Sequence, residues 1–192
     1  GLVLGDDRDQ SDRTREAFRA AGLTHLLAVS GQNVAFVLAV ASPLLRRLGG
    51  RVRWLATLVL LCFFAVVTRF EPSVIRATLM AGLAVTAAAR GRPTSGVRLL
   101  SLATIAALVY DPLLVHRTGF QLSVLATAGI IVAARRLPAI LPGPRPLALA
   151  VAVTVGAQVA TAPLLVAQFG GVPLAALPAN ILAEPAAGAA MT

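Results

Sequence analysis

Few residues in this sequence could carry out covalent chemistry. Ser30 and His25 are the best pair, because a serine beside a histidine base is the nucleophile of many hydrolases. Ser30 stands in Ser-Gly-Gln-Asn, however, and lacks the Gly-x-Ser-x-Gly pattern of a nucleophile elbow. His25 and His116 also lack the spacing of zinc ligands. We therefore expect no enzyme activity, no cofactor and no metal, with a hydrolase as a minor alternative.

Arg76 is the residue that most suggests a binding function. It lies one turn inside the apolar segment 72–89. A charge in a bilayer is costly and normally faces the interior of a helix bundle or an aqueous path. A guanidinium at this position is therefore a candidate for a functional or pore-lining role. The alternatives are a side chain that extends to the membrane interface, or one that pairs with Glu71 at a five-residue spacing.

Polar residues also interrupt other apolar segments. They are Ser30, Gln32 and Asn33 in the first segment, where Gly31 permits a kink or a close helix contact, Gln121 and Ser123 in the fifth, and Gln158 and Asn180 in the last two. Each polar side chain needs a hydrogen-bond partner in an apolar surrounding. They either line a polar path or bond to a neighbouring helix, and the second explanation suffices for each residue taken alone.

The elements that must position these residues are predicted to be membrane helices. The chain has 192 residues, of which 57% are hydrophobic and 13% charged, whereas soluble domains carry about 25% charged residues. A spanning helix needs about 20 largely apolar residues. Segments of this kind are 24–45, 52–68, 72–89, 97–111, 113–134, 147–168 and 172–192. We predict an all-α fold, a polytopic transmembrane helical bundle of about six to seven segments, some broken or re-entrant.

The arginines predict the orientation of this bundle. The net charge is +9, and all 17 basic residues are arginine. Successive loops contain four (46–53), one (69–71), three (90–98), one (111–119), three (135–145) and no arginines (169–172). Because short arginine-rich loops stay on the cytoplasmic side, alternate loops are assigned to the two faces. Most of the positive charge is thereby explained by topology rather than by a nucleic-acid-binding surface.

The orientation divides the chain into two predicted parts. Residues 1–23 form an amphipathic segment on the outer face, with a short interfacial helix at 12–21. Residues 24–192 form the transmembrane domain, and the chain is expected to be a fragment cut at both ends. Candidates for the entrance or its structural support are Arg19, His25, Arg69, Glu71 and Asp111.

Several strings in this order resemble the membrane domain of the ComEC competence-protein family. They are residues 15–31, Pro72-Ser-Val-Ile-Arg-Ala77 with Met80-Ala81, Asp111-Pro112, Gly119-Phe-Gln-Leu-Ser123, Ala162-Pro-Leu164 and Ala179-Asn-Ile-Leu-Ala183. The resemblance covers nearly the whole chain. Two positions depart from the family pattern: Asn33 stands where many members have histidine, and Thr118 where aspartate is often found.

The resemblance implies a channel that carries one strand of DNA across the cytoplasmic membrane in natural transformation. The implied partners are single-stranded DNA, the bilayer, a cytosolic DNA motor and an outer-face DNA receptor, and the channel is a candidate oligomer. Full-length members also commonly carry a β-barrel domain and a metallo-β-lactamase-like domain. The predicted pore lining is Arg76, Ser30, Gly31, Asn33, Gln121, Ser123, Gln158 and Asn180. The alternative is a small-molecule permease that uses the same polar residues at a broken helix.

Overall fold

A computed structural model describes residues 31–142 and 144–169, and every regular element in these ranges is helical. The elements are α1 (Gly31–Leu45), α2 (Gly50–Val67), α3 (Pro72–Ala89), α4 (Gly96–Tyr110), α5 (Thr118–Arg136) and α6 (Arg145–Phe169), with short 3-10 helices at Pro112–His116 and Leu137–Ala139. The all-α prediction is confirmed for this part of the chain. The predicted helix 12–21 and the segment 172–192 lie outside the described residues.

Four of the described helical stretches are long and apolar enough to span a membrane. They are Gly50–Val67, Pro72–Ala89, Thr118–Ala139 and Arg145–Gln168, with mean hydropathy between 1.4 and 1.9. Asn33–Leu45 and Gly96–Tyr110 are apolar but shorter. Large apolar side chains such as Val59, Phe63 and Val109 are exposed, as expected of surfaces that contact lipid. The predicted number of six to seven segments is therefore only partly matched within the described ranges.

The start of the fifth predicted segment, 113–134, was wrong, since residues 113–117 precede the α-helix that begins at Thr118. The Asp111 carboxylate accepts a hydrogen bond from the Leu113 amide at 3.0 Å, and Pro112 begins a 3-10 helix instead. Gln121 Nε2 donates to the Val115 carbonyl at 2.6 Å and ties this turn to α5. Local side-chain bonds of this kind compete with continuous helix.

The described residues belong to two compact units, the first of which contains residues 31–124. In this unit α3 packs against α1, α2 and α4. Its core has two clusters, one formed by Val34, Leu61, Phe64, Val74 and Ala77, the other by Ala107, Leu114 and Phe120. Near the C-terminal end of α3, Trp54 Nε1 donates to Thr86 Oγ1 at 3.1 Å, and this bond joins α2 to α3. Short connections make these neighbouring helices antiparallel.

The second unit contains residues 125–142 and 144–169. Here α5 and α6 approach so closely that a Cβ built at Gly129 would meet the Gly156 carbonyl oxygen. A Cβ at Gly156 would lie 2.6 Å from the Gly129 oxygen. Ala133 and Ala160 follow the two glycines at a four-residue spacing. This arrangement of small residues is typical of closely packed membrane helices.

The Thr161 hydroxyl does not replace the backbone hydrogen bond that Pro163 removes from α6. A proline in a helix deprives the carbonyl four residues earlier of its donor, here that of Val159. Thr161 Oγ1 instead donates to the carbonyls of Ala157, at 2.9 Å, and Gln158, at 3.3 Å. A threonine hydroxyl in a helix reaches carbonyls three or four residues before it, and Val159 is only two residues away.

The same backbone hydrogen-bond pattern ends helices α2 and α3. In each case the second residue after the helix has a positive φ, and this residue is an arginine after α2 and a glycine after α3. Arg69 has φ 53° and Gly91 has φ 66°. The Phe70 amide donates to the Ala65 carbonyl after α2, and the Arg92 amide donates to the Ala87 carbonyl after α3, both at 2.9 Å. These bonds define a Schellman motif, in which glycine is normally favoured.

We expect Arg69→Gly to raise the stability of the protein and Gly91→Ala to lower it, each by about 1 kcal/mol, because a side chain in the left-handed region clashes with its own backbone. The measurement is the apparent melting temperature of each purified full-length variant in detergent. A shift of the same sign for both substitutions would contradict this account of the two helix ends.

Candidate functional site

Arg76 lies at the centre of a contact between three helices of the first unit. Its side chain is only 8% exposed. Nε donates to Ser123 Oγ in α5 at 2.7 Å, and Nη1 donates to Met80 Sδ in α3 at 3.3 Å. On the α1 side, a Cβ added to Gly31 would lie 2.7 Å from Nη2. We call Arg76, Ser123, Met80 and Gly31 the Arg76 site.

The sequence around Arg76 explains why the guanidinium is held inside. Pro72 begins α3 at a position where its missing N–H costs nothing. Val74 and Ala77 are buried against α1 and α2, and Ile75 packs against the second core cluster. Burial on both sides of Arg76 along the helix leaves this side chain between the neighbouring helices. The alternative that it extends to the interface does not agree with its low exposure.

The partners of Arg76 in the described part of the chain are neutral. A hydroxyl and a thioether accept from two of its N–H groups. The only carboxylates in the described ranges belong to Glu71 and Asp111. Glu71 is exposed at the N-cap of α3 and forms no capping bond, and Asp111 bonds to the Leu113 amide. The suggested pairing of Arg76 with Glu71 is therefore replaced by the bond to Ser123.

A buried positive charge whose partners among the described residues are neutral has a clear chemical consequence. Removing a guanidinium from water is costly unless an opposite charge compensates it. Guanidinium has five N–H donors in a planar fork that matches the oxygen atoms of phosphate or carboxylate. The Arg76 site is therefore suited to attract an anion.

The structure brings together three of the predicted pore-lining residues, namely Arg76, Ser123 and Gly31. Asn33 is buried in α1 near the first core cluster. The Gln121 amide nitrogen donates a hydrogen bond to the Val115 carbonyl, whereas Gln121 Oε1 has no partner among the described residues. Gln158 lies in the second unit, where its buried Nε2 has no partner among the described residues. Ser30, Asn180, Arg19 and His25 lie outside the described part.

Met80 was missed as a member of the site, although it stands in one of the strings that carry the family resemblance. Its four-residue spacing from Arg76 places both side chains on one face of a helix. That spacing was the available signal. Within the described ranges, the structure contains no group of three or more His, Cys, Asp or Glu side chains able to hold a metal ion.

We expect Gly31→Ala to lower the stability of the first unit by about 1–3 kcal/mol, a typical cost of adding a methyl group to a packed interior. The new Cβ would lie 2.7 Å from Arg76 Nη2 and 3.2 Å from Ala77 Cβ. The same substitution in an Arg76→Lys background costs less, since lysine has no Nη2. Apparent melting temperatures of the full-length variants measure both effects.

Gly119→Ala is the control for this prediction, because nothing lies within 4 Å of a Cβ built there. If Gly31→Ala costs as much in the Arg76→Lys background as in the wild type, the methyl group does not act through the guanidinium.

Comparison with known proteins adds a family assignment. A family model described as "Competence protein" matches residues 2–192. "ComE operon protein 3" of Bacillus subtilis (strain 168) is 28% identical over 187 residues, which are 96% of this chain and 24% of the relative. "Uncharacterized protein YcaI" of Escherichia coli (strain K12) is 26% identical over 198 residues, which are 96% of this chain and 26% of the relative. The chain thus spans about a quarter of the length of these relatives. No solved structure matches.

Proposed function

Because this chain belongs to the competence protein family and has helices long and apolar enough to span a membrane, we propose that it conducts single-stranded DNA across the cytoplasmic membrane. The chain is a competence-related membrane protein. Its proposed role is that of the channel domain of a longer protein during DNA uptake in natural transformation. It performs no covalent chemistry in this proposal.

The observation that carries the proposal is the buried guanidinium of Arg76 between three helices. A DNA strand presents one phosphate for each nucleotide, so a single cation on its path meets every nucleotide in turn. The contacts of Arg76 with Ser123 and Met80 are with neutral groups, so they do not cancel the charge that would attract phosphate. Attraction of this kind does not depend on base sequence, which suits a conduit that must accept any strand.

The position of Arg76 fits the entrance of such a path. It lies four residues after Pro72, about 6 Å along the helix axis. The arginine-rich connections lie at the opposite end of α3, where Arg90 and Arg92 follow the helix. By the distribution of arginines, that end faces the cytoplasm and the Arg76 end faces outward. The same rule predicts that residues 1–23 lie on the outer face.

The partners in this proposal follow from the path itself. Single-stranded DNA is the cargo, and the bilayer surrounds the exposed apolar faces. The sequence contains no phosphate-binding loop of the Walker type. In this proposal a cytosolic motor supplies the driving force, and an outer-face receptor delivers the DNA. Assembly of several copies is compatible with this arrangement.

A photochemical cross-link from the Arg76 site tests the proposal directly. A diazirine-bearing amino acid replaces Met80 in the full-length protein, expressed in a deletion strain that is taking up radiolabelled DNA. We expect labelled DNA to become attached to the protein on illumination. The matched control carries the same group at Val59, which is 61% exposed on α2 and should react with lipid.

An uptake-competent Met80 variant without a DNA adduct would overturn the proposal, as would equal adducts from both positions.

The second candidate function is a small-molecule permease. The observation that favours it is Gln158, whose buried amide nitrogen lies five residues before Pro163 in α6, since substrate sites of transporters occur at interrupted helices. A cross-link to a small solute instead of DNA would support this second function.

A further inference from the structure

A cavity of about 710 Å³ opens at the arginine-rich end of the first unit, where α1 ends, α2 begins and α3 ends. Four arginines line it: Arg46, Arg51, Arg53 and Arg90. All four are exposed. The cavity is separate from the Arg76 site, which lies towards the other end of α3. Neither the family assignment nor the proposed DNA path gives this cavity a role.

Among the described residues, the charged side chains that line the cavity are all positive. The two carboxylates in the described residues, Glu71 and Asp111, lie before α3 and after α4, at the opposite end of these helices. Gly50 also lines the cavity at the start of α2, and the N-cap Gly49 offers no side chain to the first amides of that helix. Oxygen atoms of an anion can accept hydrogen bonds from such amides. The cavity thus presents both charge and directed donors to an anionic group.

The walls of the same cavity are apolar. Its lining also includes Leu38, Leu45, Val85 and the indole of Trp54. The bond from Trp54 Nε1 to Thr86 Oγ1 fixes this indole at the helix end, a depth where tryptophan is enriched in membrane proteins. Free phosphate or a DNA backbone would gain nothing from apolar walls. A molecule with an anionic head and hydrocarbon chains would use both parts of the cavity.

We infer that this cavity binds an anionic phospholipid, with its phosphate among the four arginines and its upper acyl chains against the apolar walls. Basic pockets between membrane helices are suited to such headgroups, and the volume lies in the range of ligand sites, about 300–1,000 Å³. The inference does not depend on DNA conduction. A bound lipid would link α1, α2 and α3 at the end of the unit where side-chain packing leaves a gap.

Native mass spectrometry of the full-length protein in detergent tests the inference, with phosphatidylglycerol and phosphatidylcholine added in equal amounts. We expect preferential retention of phosphatidylglycerol by the wild type. Removing two of the four charges in Arg46→Gln/Arg90→Gln should lower that retention about tenfold. The control Arg135→Gln/Arg136→Gln removes two exposed arginines at the end of α5 and should retain the lipid as the wild type does.

A second variant tests the apolar walls without changing the charge. Ala89 is exposed and lines the cavity, so Ala89→Phe should fill the space and lower lipid retention with all arginines present. Further arms add inorganic phosphate or a short single-stranded oligonucleotide as competitors. Displacement of the lipid by either competitor, equal retention of both lipids, or equal losses in the two double variants would overturn the inference.

Discussion

The full-length protein carrying Arg76→Glu is expected to import labelled DNA about 100-fold more slowly than the wild type at the same protein level. A carboxylate at this buried position repels the phosphate that the guanidinium attracts, and charge interactions are strong where water is excluded. It also cannot donate to Ser123 as Arg76 Nε does. The measurement is entry of labelled DNA into a deletion strain complemented with the variant. We expect Arg76→Gln to have a smaller effect, since it removes attraction without adding repulsion.

Arg117→Glu is the matched control for this reversal of charge. Arg117 is exposed in the connection that leads into α5, on the same proposed outer side, and its backbone bond to Leu114 does not involve the side chain. We expect its DNA import to stay close to that of the wild type. Normal import by Arg76→Glu at normal protein levels would remove the proposed phosphate role of Arg76.

Gly156→Leu is expected to prevent stable folding of the second unit, with a loss of about 3 kcal/mol or more. A Cβ at this position meets the Ala133 methyl group and lies 2.6 Å from the Gly129 oxygen and 3.0 Å from the Gly129 carbonyl carbon. Backbone atoms cannot rotate away as a flexible side chain can, so α5 and α6 must separate. The yield of monodisperse full-length protein after detergent extraction, together with its protease resistance, measures this loss.

Two further variants separate a steric cause from a general effect of leucine. Gly119→Leu places the same side chain in a helix where a Cβ meets nothing within 4 Å, and we expect normal yield. Combining Gly156→Ala with Ala133→Gly should recover part of the stability that Gly156→Ala loses, because it removes one of the contacting methyl groups. Equal yields of Gly156→Leu and Gly119→Leu would show that close approach of α5 and α6 is not required.

The sequence by itself determined which segments are helical within the described residues. The segment 72–89 was predicted with the bounds that α3 has, and 52–68 and 97–111 agree with α2 and α4 within two residues. Apolar runs between Pro, Gly and Arg define such helices because the hydrocarbon of a bilayer accepts backbone only with its hydrogen bonds satisfied. The failure at residues 113–117 has a local cause. The Asp111 carboxylate caps a 3-10 helix there, and a hydropathy profile does not detect such a cap.

Only the tertiary structure decided how these helices meet. Ser123 is 47 positions from Arg76, and Glu71 was the nearer partner in sequence. Periodicity shows which residues share a face of one helix, but it contains no information about which helix covers that face. The contact between Gly129 and Gly156 has the same origin: their spacing from Ala133 and Ala160 is visible in the sequence, whereas the pairing of α5 with α6 exists only once the helices pack. The sequence identified Arg76 as a charge within an apolar segment. The packing of the helices determined that Ser123, Met80 and Gly31 surround it.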